Sequence, residues 1–219
     1  MSSFDWSLLV QSLPLMATGA VATIEISLLA ILIGAVLGIV FGLIQVGGPG
    51  PLRALVKAYV SFIRGVPLLV IIFLVYFGLP GLGLTLSAFL SGAIALGLNS
   101  AAFMAEIVRA GLESIDRGQT EAARSIGLSE AQTALYVLLP QSLRRIAPPT
   151  TNEFIQLVKG SSLLSVIGVY ELTRSGQTII ARTFAAFEIY LGIAAFYLVL
   201  IGVLSLVSTY LERNVLREA

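Results

Sequence analysis

Histidine and cysteine are both absent from this chain of 219 residues. Without cysteine there is no disulfide framework and no thiolate metal site. Without histidine the commonest general base and the commonest metal ligand are missing. The Ser/His and H-E-x-x-H arrangements of intramembrane proteases are thereby excluded. Aspartate occurs only as Asp5 and Asp116, both outside the apolar runs, so a buried aspartyl pair is excluded as well. No G-x-x-x-x-G-K-[S/T] phosphate loop is present, so the chain does not bind ATP in the usual way. Charge itself is scarce: 11% of residues are charged, against about 25% in a soluble domain. The net charge of +1 gives no reason to expect a nucleic-acid partner. The first 14 residues carry one charge, Asp5, and read as a native start rather than a cleaved leader with a basic region.

What fills the chain is apolar. It is 57% hydrophobic, with a mean hydropathy of +0.97. A helical crossing needs roughly 20 apolar residues, and breakers divide the chain into five such runs, at about 16–46, 58–77, 86–108, 150–170 and 189–210. Gly47-Gly48-Pro49-Gly50-Pro51 ends the first run, and Gly78-Leu79-Pro80-Gly81-Leu82-Gly83 parts the second from the third. Pro148-Pro149 suits the first turn of the fourth. Segment 109–147 is the main polar loop, and Arg174–Glu188 reads as a second one. The expectation is an all-α polytopic membrane protein with five transmembrane helices, forming one domain over 1–219.

Five crossings put the termini on opposite sides. One side receives Arg53, Lys57, Arg64, Arg109, Arg117, Arg124, Arg144, Arg145, Arg213 and Arg217, and the other Arg174 and Arg182. The positive-inside rule makes the first side cytoplasmic, with the N-terminus outside and the C-terminus inside.

Polar residues inside the runs are candidates for function, because ionisable groups in a span are costly and usually face a cavity or partner. Asn152, Glu153, Gln156 and Lys159 share an arc of roughly 120° on a helix. Glu153 and Lys159 lie about 9 Å apart along the axis, too far for an i,i+4 pair. They offer a separated anion and cation, complementary to a zwitterion. Glu153 would take a cationic group, Lys159 a carboxylate, and Ser161 or Ser162 would add hydrogen bonds. The other reading is that both charges pair with other spans, where Arg64 and Glu106 are available. Asn99 shares a face with Glu106 and either lines a pathway or joins helices. Arg64, near the inner end of the second run, is a pocket charge or snorkels to the interface. Glu106, Arg109 and Glu113 have the spacing of an ion ladder. Gly34, Gly38 and Gly42 form overlapping GxxxG patterns, serving either a subunit interface or packing within the chain.

The polar loop holds Glu121-Ala122-Ala123-Arg124-Ser125-Ile126-Gly127, and nine residues later Val137-Leu138-Leu139-Pro140. Residues 118–126 suit a helix ending at Gly127 as its C′ residue, and Ser129 with Gln132 suits a capping box opening a second helix. The stretch resembles the coupling-loop signature of ABC importer permeases, E-A-A-x3-G-x9-I-x-L-P, with Val137 in place of Ile. Arg64-Gly65-Val66-Pro67-Leu68-Leu69-Val70 with Tyr76-Phe77-Gly78-Leu79-Pro80, Asn99 through Arg109, and Asn152 through Leu163 resemble further signatures of polar amino-acid permeases of the histidine/glutamine/arginine type. Ile71 departs from it, standing where many members have Gln. The resemblance spans roughly 15–214.

It implies a type I importer (MetI-like) permease fold. In that family Glu121, Ala122, Ala123, Gly127, Leu139 and Pro140 would form a cytoplasmic knob for an ATPase. It also implies a second permease subunit, two ABC ATPase subunits that bind ATP and Mg, an extracytoplasmic binding protein and a bacterial inner membrane. The cargo would be a polar amino acid. Glu153 favours a basic one of the arginine, histidine or lysine type; glutamine, cystine, an opine or another small polar compound is the alternative. A channel or carrier that works without ATP leaves the loop unexplained.

Overall fold

The computed structural model describes residues 4–214, the last four in backbone alone. Arg217 of the charge tally lies outside the described residues. Apolar runs between Gly/Pro breakers give helices throughout: α1 Trp6–Gly47, α2 Gly50–Gly65, α3 Leu68–Gly81, α4 Ala88–Glu113, α5 Arg117–Ser125 and α6 Glu130–Thr133. A π-helical turn, Ala134–Leu138, leads into α7 Leu139–Gly160, continued by a 3₁₀ helix, Ser161–Ile167; α8 Leu172–Thr183 and α9 Ala186–Asn214 follow. No strand occurs among the described residues.

α1 starts ten residues before the expected run because Asp5 caps it, accepting from the Leu8 amide at 3.0 Å. The Ser7 hydroxyl and that amide hold the exposed Asp5 carboxyl below its ordinary value. Its 42 residues make a rod of about 63 Å, twice the roughly 30 Å of a bilayer's hydrocarbon core. Its glycine stripe packs within the chain rather than against another subunit. A Cβ on Gly34 would lie 2.8 Å from Ser100, one on Gly42 2.6 Å from Val108, and Gly38 meets Met104. α1 and α4 thus run side by side in close contact.

Three apolar clusters tie the rest to this pair. Ile26, Ile72, Leu96 and Leu164 join α1, α3, α4 and the 3₁₀ helix. Met16, Leu172, Ile189 and Ile193 join α1, α8 and α9. Val56, Val60 and Ile63 of α2 pack on Ala102 and Ala105 of α4.

Three sequence expectations are corrected. The run at 58–77 is not one helix: Pro67 forbids helical backbone at Val66 (φ −111°, ψ 136°), and α2 and α3 meet at a bend of 111°. By length and apolar content three helices can cross a membrane, and four if the bent pair is one crossing. The expected crossing at 150–170 corresponds to the end of α7 and the 3₁₀ helix Ser161–Ile167, where α7 is too polar to stand out by apolar content alone. α7 also begins at Leu139, so Pro148-Pro149 lie inside it rather than in its first turn. There they deprive the Arg144 and Arg145 carbonyls of their usual donors. The segment expected as a loop at 174–188 is mostly α8, because Glu171 caps it through the Thr173 and Arg174 amides at 2.9 and 2.7 Å.

Candidate coupling knob and cargo pathway

Asp116 opens α5 by accepting from the Gly118 amide at 2.7 Å. The helix ends in a Schellman arrangement. The Gly127 amide donates to Arg124 O at 2.9 Å and the Leu128 amide to Ala123 O at 3.2 Å. Gly127 closes the turn at φ +87°, a conformation that favours glycine. Ser129 and Gln132 then form a reciprocal capping box, with N···O distances of 3.3 and 2.9 Å. Arg124 pairs with Glu130 at 2.8 Å across the turn, and Gln141 donates to Gln119 at 3.1 Å, tying α7 back to α5.

The knob is thus held by short-range hydrogen bonds. Ala123 is buried beneath it, whereas Glu121 and Ala122 are exposed and Ile126 is 79% exposed. Leu135 and Tyr136 add further exposed apolar surface beside it. Leu139-Pro140 opens α7. Because proline lacks an N–H, it fits the first turn of α7. Leu139 reaches back five residues to Ala134 O. α6, the π turn and α7 therefore form one unbroken helical arm, which the turn at Gly127 joins to α5.

Farther along that arm, Glu153 is half-buried and its carboxyl stands beside Ser100 of α4. Lys159 is exposed on α7 and forms no ion pair with Glu153 or any other acid among the described residues; Asn152 and Gln156 are exposed on the same face. The Ser161 and Ser162 hydroxyls donate to the Val158 and Lys159 carbonyls, both at 2.8 Å, which leaves their lone pairs as acceptors. Ser161 is buried and Ser162 half-buried. Asn99 is half-buried on α4, next to Ser100.

Arg64 is drawn elsewhere. It lies 3.4 Å from Glu106, over the Phe103 ring, and lines a cleft between α1, α2 and α4 that contains neither Glu153 nor Lys159. The expected ladder is formed, with Arg109 at 2.8 Å from Glu106 and 2.6 Å from Glu113.

Sequence reasoning missed Glu171 and Gln45, both buried polar groups. Glu171 also accepts from the Tyr197 hydroxyl at 3.2 Å, so one carboxyl joins α8 to α9. Its place just before Leu172-Thr173-Arg174 is a capping position that could have revealed it.

A polar knob joined to a half-polar arm, packed on apolar rods, defines a helical membrane component with an exposed polar knob. The chain belongs to the family described as binding-protein-dependent transport system inner membrane component, whose model matches residues 34–217. It is 39% identical to the probable glutamine ABC transporter permease protein GlnM of Bacillus subtilis (strain 168), over 95% of this chain and 96% of that protein. Among solved structures it is similar to a chain of an amino acid ABC transporter crystallised with histidines, with a TM-score of 0.90 and 39% identity over 97% of this chain and 99% of that one. The inward-facing MetNI methionine ABC transporter shares the fold, at a TM-score of 0.69 and 21% identity over 97% of this chain and 98% of that one. The fold is that of a type I ABC importer permease.

Proposed function

We propose that this chain is the permease subunit of an ATP-driven amino-acid importer. The observation that carries the reading is the path from the exposed Glu121–Gly127 knob, across its hydrogen-bonded turn, along the continuous helical arm through Leu139-Pro140 to Glu153. A motor that moves the knob moves the polar stripe of α7 with it. Two ABC ATPase subunits supply the motion and bind ATP with Mg. A second permease subunit, identical or similar, completes the pathway, and an extracytoplasmic binding protein delivers cargo. The N-terminus is outside and the C-terminus is in the cytoplasm. ATP-driven closure of the motor dimer swings the arms toward an outward-open state and hydrolysis resets them. That cycle imports only if ATP and loaded binding protein together favour the outward state.

Glu153 receives the cationic side of the cargo, Lys159 its carboxylate, and Ser161, Ser162 and Asn99 add hydrogen bonds. A basic amino acid suits the Glu153 carboxylate, and the solved relative crystallised with histidines supports that choice. Glutamine is the second reading, favoured by the name of the Bacillus relative. A glutamine amide would use the same acceptors without needing a charge.

Uptake of labelled arginine, lysine, histidine and glutamine into vesicles containing the complex separates the two. With a basic cargo, Glu153→Gln should weaken transport by about tenfold or more, the worth of a charge-assisted hydrogen bond. With glutamine as cargo, the same substitution should change uptake little. Unchanged uptake of every cargo at a normal complex level would remove Glu153 from the pathway.

A further inference from the structure

We infer that Arg145 is a positioning residue for energy coupling: it closes the base of the knob onto the end of α4, so that motion of the knob reaches α4 as well as α7. α4 runs into the knob at Ser114, and α7 leaves it at Leu139. The Arg145 guanidinium donates through Nη1 to the Ser114 carbonyl, 31 residues back along the chain. Carbonyls at the end of a helix lack intrahelical donors, and the helix dipole favours a cation there. The Ser114 hydroxyl tightens the same end by donating to Gly111 O at 2.7 Å. Gly111 lies against the next residue of α7, and a Cβ on it would collide with the Ile146 side chain. Gln141 precedes Arg145 by four residues and shares its face of α7. It donates to Gln119 of α5 at 3.1 Å. One face of α7 thus holds the last turn of α4 and the first turn of α5.

The place of this clasp in α7 gives it its effect. Pro148 and Pro149 leave the Arg144 and Arg145 carbonyls without their helical donors, so the helix lacks two rungs beside the clasp. Residues 139–147 lie on the knob side of the break, and Asn152, Glu153, Gln156 and Lys159 lie beyond it. Packing of α4 on α7 is also incomplete here. A cleft of about 470 Å³ opens between them, walled by Ala110, Ser114, Arg145 and Pro149 among others. Arg145 ties the two helices at that cleft. Without the tie, the knob would swing α7 while α4, which carries Ser100 beside Glu153, lagged behind. The inference rests on the importer reading and adds to it a second helix that the motor drives.

The test uses the purified complex with its ATPase subunits, reconstituted into vesicles with loaded binding protein. The readout is cargo taken up per ATP hydrolysed, for whichever of labelled arginine, lysine, histidine and glutamine wild type imports. Arg145→Gln should assemble in normal yield and keep its basal ATP hydrolysis. It should lower uptake per ATP about fivefold, the worth of one hydrogen bond. Arg145→Lys, which still donates to a carbonyl, should restore most of it. Gln119→Cys with Gln141→Cys, joined by a short thiol cross-linker, should leave an otherwise wild-type complex active and restore coupling to Arg145→Gln, because the base stays closed through the cycle. Equal uptake per ATP in wild type and Arg145→Gln would overturn the inference. Arrest of the cross-linked wild type would overturn it too, since the base would then have to open. A loss in Arg145→Gln that follows complex yield and that lysine does not restore would make the residue structural only. Wild type that neither imports nor speeds up ATP hydrolysis with loaded binding protein would sink the importer reading itself, and so the two failures are told apart.

Discussion

Glu171 has no exposed surface, and three donors converge on it: two amides at the start of α8 and the Tyr197 hydroxyl of α9. Glu171→Ala leaves those donors without their acceptor, at about 1–3 kcal/mol for each buried orphan. The purified complex should lose several degrees of Tm, whereas Glu171→Gln, which keeps an acceptor, should lose much less. An equal loss for both would assign the stability to the charge instead. Gly127 offers a second residue-scale test. At φ +87° a Cβ is strained even though open space surrounds it, and Gly127→Ala should cost about 1–2 kcal/mol locally. If the Schellman turn aims the knob, that variant should assemble normally yet hydrolyse ATP with weaker stimulation by loaded binding protein. Unaltered stimulation would show that the turn's shape is immaterial.

Among elements, the tightest fit is α1 on α4. Gly38→Leu would drive a side chain into Met104, and overpacking of this kind costs about 1–3 kcal/mol or more. Complex yield in membranes should fall sharply, and no such fall should follow Gly47→Leu, which meets open space. The glycine repeat was legible in the sequence because its period matches a helix face; which helix it faces was not, since GxxxG names no partner. The knob was legible from Gly118 to Gln132 because its turn and capping box close within six residues, whereas the Asp116 cap and the Gln141–Gln119 bond, 22 residues apart in sequence, were not read. The bend at Val66 was written in Pro67 but hidden inside an apolar run that reads as one crossing. α8 was hidden because Arg174 and Arg182 suggested a loop, while the buried cap that forms the helix depends on Tyr197, 26 residues away. The shared helix of Glu153 and Lys159 was legible from their arc, but the separate cleft that holds Arg64 arises from three elements whose meeting no local pattern records.

For the whole molecule, the absence of cysteine makes orientation directly measurable. A single cysteine at Glu130 in the knob should react with a membrane-impermeant maleimide only from the cytoplasmic side, and one at Phe187, at the start of α9, only from outside. Reversed labelling would overturn the proposed orientation. The π-helical turn at Ala134–Leu138 gives the arm one further property. Such a turn houses one residue more than an α-helical path requires. Chain length can therefore change by one at that joint with both flanks keeping their facing, whereas the same deletion inside α7 would rotate everything beyond it by about 100°. Removing one residue from 134–138 should leave Glu153 facing Ser100. Removing one from 142–147 should turn it a quarter-circle away, so this joint is the place in the arm where chain length is uncoupled from aim.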